Sequence, residues 1–231
     1  MRKSRTSRLV FVTAFLSATP ALAAGSGDSG FELGVRTGYA FSAGHLGAPP
    51  DGMDEHVGDY VSGQWPFWID AGYRLDHSLY LGAFFQYGVG FVNDDRQDYC
   101  RNANVDCSAS DVRFGVMGRY HFSPVRQASP WLGYGLGWEW GSFSSHQSLI
   151  GSTNTEYTWS GWEYANLQVG VDFQLPHRAV IAPFISFSLG EFNNLTTTVK
   201  GGSTTTTTNQ DLAKTSLHEW IFIGVRIAIM P

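Results

Sequence analysis

Apolar residues occupy every second position through much of the chain. Over residues 31–43, Leu33, Val35, Thr37, Tyr39 and Phe41 alternate with Glu32, Gly34, Arg36, Gly38 and Ala40. The same period returns at about 64–75, 79–92, 111–122, 130–143, 161–175, 179–192 and 218–229. Side chains of a β-strand point alternately to opposite faces, so the period predicts eight strands, each with one apolar face. The connections alternate in length. Residues 76–78, 123–129 and 176–178 are short links, whereas 44–63, 93–110, 144–160 and 193–217 are long, polar ones. Strands of a membrane-spanning barrel are joined by short turns on the periplasmic side and long loops on the extracellular side. A soluble sandwich has no reason to sort its loops in this way.

Side-chain size decides which face is inside. In the fifth stretch Leu132, Tyr134, Leu136, Trp138 and Trp140 oppose Gly133, Gly135, Gly137 and Glu139; in the eighth, Ile221, Ile223, Val225, Ile227 and Ile229 oppose Gly224, Arg226 and Ala228. An eight-stranded barrel is only wide enough to be filled by side chains. Eight faces of large residues would not fit inside, so the glycine-rich face is inward and the apolar face meets lipid. Aromatic residues gather at both ends of the stretches, as in interfacial girdles. Tyr39, Phe41, Trp65, Phe67, Phe91, Trp138 and Trp140 lie at the loop ends, and Tyr73, Tyr120, Phe122 and Phe173 at the turn ends. Trp162 and Tyr164 break the parity of the sixth stretch, which implies a bulge or a position above the membrane.

Composition agrees with this placement. Charged residues make up 15 % of the 231 residues and aromatics another 15 %, against about 25 % charged in a soluble domain. Mean hydropathy is only −0.13, and no apolar run reaches the roughly 20 residues of a transmembrane helix. Arg2, Lys3, Arg5 and Arg8 precede the largely apolar segment Leu9–Ala18 and the small-residue site Ala21-Leu22-Ala23. This is the layout of a secretory signal peptide. The expected division is a signal peptide at 1–23, a short periplasmic segment at 24–30 and a barrel domain at 31–231. Removing the four basic residues leaves 11 basic against 20 acidic side chains, a net charge of −9, which excludes a basic nucleic-acid footprint. Export also places Cys100 and Cys107 in an oxidising compartment, where a disulfide is expected.

The pattern of the mature chain resembles the small eight-stranded outer-membrane barrels, the OmpA- and OmpX-like type. The resemblance implies an all-β, antiparallel, up-and-down transmembrane barrel in the bacterial outer membrane, without the peptidoglycan-binding domain of larger members. It also implies contact with outer-membrane lipid and lipopolysaccharide, and delivery by the barrel-assembly machinery. Gly224, Ile227 and Ile229 fit the assembly signal of a last strand; Phe222 and the Met230-Pro231 end depart from it.

The inward face carries Glu32, Asp70, Asp111, Glu139 and Asp172 together with Arg36, Arg74, Arg113, Arg119 and Arg226. Buried charges cost several kcal/mol each unless paired. The expectation is therefore an ion-pair network that plugs the barrel; the alternative is a narrow ion or small-solute conduit whose pairs rearrange. The seven histidines show no metal-ligand spacing, and no cofactor motif is present. The acidic residues Asp51, Asp54, Glu55, Asp59, Asp94, Asp95 and Asp98 read as hydrated loop positions rather than a cation site. His146, Ser148 and Glu156 offer the residue types of a lipid A deacylase-like hydrolase, but Leu149-Ile150 replaces the polar pair of that family. Thr196–Thr198 and Thr204–Thr208 read as a flexible hydroxyl-rich loop, with an extended hairpin as the alternative. The resulting expectation is a non-enzymatic envelope barrel with a structural or surface-interaction role, any ligand being met by the four long loops.

Overall fold

A computed structural model describes residues 29–50, 52, 54–122, 127–147, 153–176 and 178–230. The expected signal peptide lies outside the described residues. Among the described residues, nine strands and two short helices follow one another: β1 (Gly30–Gly47), β2 (Glu55–His56), α1 (Val57–Tyr60), β3 (Val61–Arg74), β4 (Leu79–Val92), α2 (Asp94–Asn102), β5 (Val105–His121), β6 (Ala128–Gln147), β7 (Thr153–Leu175), β8 (Ala179–Gly201) and β9 (Thr204–Ile229). Each strand from β3 onward pairs antiparallel with the next, and β1 pairs with both β3 and β9. Eight strands thus close a ring. β2 is a short addition to the outer end of β1, through His45 and His56, and is a ninth strand that the period of two did not predict.

The ring is inverted relative to a soluble barrel. Phe67 is 58 % exposed while its neighbour Trp68 is 1 % exposed. The same contrast runs around the wall: Val35, Ile69, Phe85, Val116, Leu136, Val169, Ile185 and Ile223 face outward. Glu32, Arg36, Gln64, Asp70, Arg119 and Arg226 are buried inside. An exposed apolar belt of this extent is an aggregation surface in water and a solvation surface in lipid. Closure leaves no unpaired strand edge within the belt, which lipid would not tolerate. The seam between β1 and β9 runs from Leu33 opposite Ile229 to Gly44 opposite His218.

Glycines inside the ring make room for flat rings laid on the wall. Gly38 and Gly224 face each other across the seam, and the ring of Phe222 lies against both. Gly72 and Gly82 form a second facing pair, covered by Tyr80. A residue with a Cβ at Gly224 would sit 2.5 Å from the carbonyl oxygen of Thr37 and 2.7 Å from the Phe222 ring. The aromatic at position 222, unusual for an assembly signal, therefore has a packing role at the closing seam.

Beyond the belt the structure departs from the expected loops. Trp162 and Tyr164 both face outward, because β7 carries one extra residue at Tyr164–Ala165 relative to β6 and β8. That bulge restores Leu167 and Val169 to the lipid side and turns Glu163 inward. The flexible fourth loop is corrected to a paired hairpin. β8 and β9 remain hydrogen-bonded to Gly201 opposite Thr204, with Thr197 opposite Thr208 and Thr198 opposite Thr207. β-branched threonines suit a pleated ladder, and Gly202, at φ +56°, supplies the left-handed residue of the tight turn. Loop two contains α2. Asn93 caps it by accepting from the Asp95 amide at 3.0 Å, Asp94 and Asp95 sit in its first turn, and the Cys100–Cys107 disulfide ties its last turn to β5.

Substituting Gly224→Val is expected to lower the unfolding stability in micelles by about 1–3 kcal/mol through overpacking at the seam. Gly118→Ala meets the flexible Leu81 side chain at 3.2 Å and the Tyr80 carbonyl oxygen at an ordinary contact distance of 3.7 Å, and is expected to change little. Urea midpoints of the two variants check this; equal midpoints would remove the packing role assigned to the seam.

Candidate functional site: the barrel interior and its extracellular mouth

The inward residues sort into layers. At the turn end, Glu32 is the hub: it accepts from Arg74 Nη2 at 2.6 Å and from Arg119 and Arg226. Asp70 accepts from Arg36 Nε at 2.7 Å and lies 3.6 Å from Arg226 and 3.7 Å from Arg119. Asp172 meets His121 Nε2 at 3.1 Å and Arg226 at 3.7 Å. Arg36 also donates to Gln168 at 2.6 Å. The guanidinium of Arg36 lies 4.5 Å from the Trp68 ring centre and that of Arg119 lies 4.1 Å from Tyr80, so the cations are solvated by carboxylates and by ring faces. Four arginines thus meet three carboxylates in this layer.

An aromatic layer follows. Trp68 and Phe84 lie 4.8 Å apart with their rings tilted at 37°, and Phe184 meets Phe222 edge-on at 4.9 Å. Above it lies a second polar layer. Arg113 contacts Asp111 at 2.9 Å, Glu139 at 3.2 Å and Glu163 at 3.5 Å. Glu139 also accepts from Trp220 Nε1 at 3.1 Å and meets His218 Nε2 at 3.0 Å. Of the ten charged positions read from the pattern, Glu32, Arg36, Asp70, Arg74, Arg119, Asp172 and Arg226 come together in the first layer, and Asp111, Arg113 and Glu139 in the second. Glu163, His121 and His218 join them although the strand pattern did not single them out. Glu163 was hidden by the β7 bulge, which shifts its parity.

The extracellular mouth is closed by loop one. α1 lowers Val57 and Tyr60 onto Phe143 and Trp159; Tyr60 meets those two rings edge-on at 5.2 and 5.3 Å. The Tyr60 hydroxyl donates to Glu55, and its pKa is pushed up by burial and by that carboxylate. Asn93 holds α1 from above by donating to the Gly58 carbonyl at 2.7 Å, and Arg96 covers the Tyr60 ring at 4.2 Å. On the other side β9 bulges between Ser216 and Asp211, tucking Leu212 into the mouth and pairing Lys214 with Ala48. Asp54 accepts from Lys214 Nζ at 2.7 Å and from Ser216 at 3.2 Å. Under this cover sits a partly open pocket, walled by Leu46, Val57, Tyr60, Phe143, Trp159 and Phe192 and floored by Gln64, Asp111 and Glu139.

The eleven expected interface aromatics lie on the outer surface, Trp138 half-buried against Trp140 and Trp162. His146 is exposed opposite Asn154, and Glu156 stands opposite Ser144; Ser148 lies outside the described residues.

No protein-family model and no curated protein sequence matches the chain. Solved structures do. A major outer membrane protein from Thermus thermophilus superimposes with a TM-score of 0.58 at 10 % identity, over 87 % of this chain and 98 % of that one. Neisserial surface protein A gives 0.48 at 12 % identity, over 89 % and 99 %. The inverted ring, the apolar belt and the first of these likenesses define the class: this is an outer-membrane-type β-barrel of the small eight-stranded kind.

Two outcomes follow. Glu32→Gln leaves Arg74, Arg119 and Arg226 short of their shared carboxylate and is expected to destabilise the barrel by about 3–5 kcal/mol, measured by urea unfolding in micelles. The Lys214 hydrogen bond and charge hold the Asp54 pKa below its ordinary 3.8. A depressed carboxylate stabilises above its unfolded value and loses that contribution as pH falls through the folded one. Acid proteolysis of loop one is therefore expected to rise below pH 3.8, relative to a Lys214→Ala variant in which the difference is absent.

Proposed function

We propose that the protein is a plugged envelope barrel: a non-enzymatic membrane anchor whose function resides in what it presents at the cell surface. The single observation that carries this reading is the turn-end layer, where four arginines converge on Glu32, Asp70 and Asp172 across the bore. A stable network of this kind leaves no water file, and moving an ion through it requires breaking several buried pairs. The surface role is supported by the extension of β6 to β9 beyond the belt. There the exposed ladder Thr204–Gln210 and its partners offer hydroxyl groups rather than apolar area. In this reading residues 1–23 direct export and are removed, the barrel-assembly machinery inserts the chain, and lipopolysaccharide surrounds the outer half of the belt.

Planar-bilayer recording of the refolded barrel lacking residues 1–23 tests it. The expected result is a folded, heat-modifiable protein with no discrete current steps. Reproducible steps that change size in Arg36→Ala would overturn the plugged reading in favour of a narrow conduit.

A further inference from the structure

The two polar layers are unlike in charge. The turn-end layer holds four arginines against three carboxylates, whereas the layer beneath the mouth holds Asp111, Glu139 and Glu163 against Arg113 alone, with His218 beside them. All five side chains are at least nine-tenths buried. Buried carboxylates in excess of their cations call for a compensating positive charge.

Two of the three keep an oxygen without a donor partner, Asp111 Oδ1 and Glu163 Oε2, and of these two residues Asp111 lines the mouth pocket. Glu139 is occupied by Arg113, Trp220 and His218. Asp111 uses Oδ2 for Arg113, Gln64 and Gln86, its carboxyl group stands within hydrogen-bonding reach of Glu139, and its Oδ1 meets no N–H or O–H donor although the residue is 3 % exposed. Asp111 lies at the floor of the mouth pocket, whose walls include the rings of Tyr60, Phe143, Trp159, Phe192 and Trp220 beside the aliphatic Leu46 and Val57. A pocket with an acidic floor and aromatic walls has two features that attract the same chemistry. The negative faces of aromatic rings and a carboxylate both bind a weakly hydrated cation.

We propose that the mouth pocket binds a small alkylated organic ammonium ion, its charge on Asp111 and its methyl groups against Tyr60, Trp159 and Phe143. Competing cations fit less well. A hard metal ion needs about six oxygen ligands, and no group of three or more metal-ligating side chains occurs among the described residues. A primary ammonium would turn its three N–H donors to the polar floor of Gln64, Asp111 and Glu139 and leave the aromatic walls unused. A quaternary head has no such donors. The acidic mature chain favours cation approach. This site stands whether or not the bore conducts.

The experiment is calorimetric titration, with tryptophan fluorescence in parallel, of the refolded barrel in a non-ionic maltoside detergent. The probes are choline and its neutral isostere 3,3-dimethyl-1-butanol. Saturable binding of choline with little response to the alcohol is expected. Asp111→Asn is expected to weaken choline by at least about tenfold, and Trp159→Leu by roughly three- to tenfold. Arg113 keeps Glu139 and Glu163 in the first variant, and Trp159 lies above the belt in the second, so both leave the ring closed; heat-modifiability on gels verifies each. Equal binding of the alcohol would make the pocket merely apolar and overturn the proposal. So would no saturation by choline, or unchanged affinity in both variants.

Discussion

Charge that has no water to reach it is the constraint on which the rest of this molecule depends. A ring whose outer wall dissolves in lipid must put every polar side chain of its strands inside, and the bore is too narrow to hydrate them. Glu32 answers for three arginines, Asp70 and Asp172 share the remainder, and ring faces of Trp68 and Tyr80 cover the guanidinium planes. The charged partners come from β1, β3, β5, β7 and β9. Arg36 with Asp70 and Arg74 with Glu32 join the neighbouring strands β1 and β3, but Arg119 and Arg226 reach Glu32 only when the ring closes, so the network and the β1–β9 seam stabilise one another. Coupling of that kind makes the bore rigid, and it is why the turn-end half is read as a plug.

The extracellular half is built differently. Its ion pairs lie beneath a cover of apolar side chains lent by loop one and by the β9 bulge, and the cover is fastened by contacts such as Asp54 with Lys214 and Asn93 with Gly58. Surface pairs of this sort contribute little individually. The lower half is therefore the anchor, and the mouth, held by weaker links over a pocket, is the part suited to exchange with the outside.

Much of the wall was legible in the sequence because a period of two leaves no choice of face. Leu33, Val35 and Phe41 on β1, or Ile221 to Ile229 on β9, could only be lipid-facing once size excluded them from the bore. What the period does not encode is partner choice across the bore: that Arg119 reaches Glu32, 87 residues away, follows from closure and shear, not from either strand. Glu163 escaped notice because one extra residue in β7 reverses the parity on either side of Tyr164. The fourth loop was misread since hydroxyl-rich, glycine-containing segments suit coil and ladder alike, and only pairing with β7 decides between them. Helix α2 did carry a local signal, Asn93 followed by Asp94 and Asp95, but it was short enough to pass for a polar loop.

Inversion of the barrel is the central claim, and paramagnetic broadening of methyl resonances tests it most directly. In micelles carrying a stearate with a nitroxide near the end of its chain, the methyls of Val35, Ile69, Val169 and Ile223 should broaden strongly. Those of Met117 and Ala182, 3 % and 0 % exposed, should stay sharp. The opposite pattern, with broadened Met117 and Ala182 and sharp outer-wall methyls, would mean a barrel with its apolar face inward and would contradict the account.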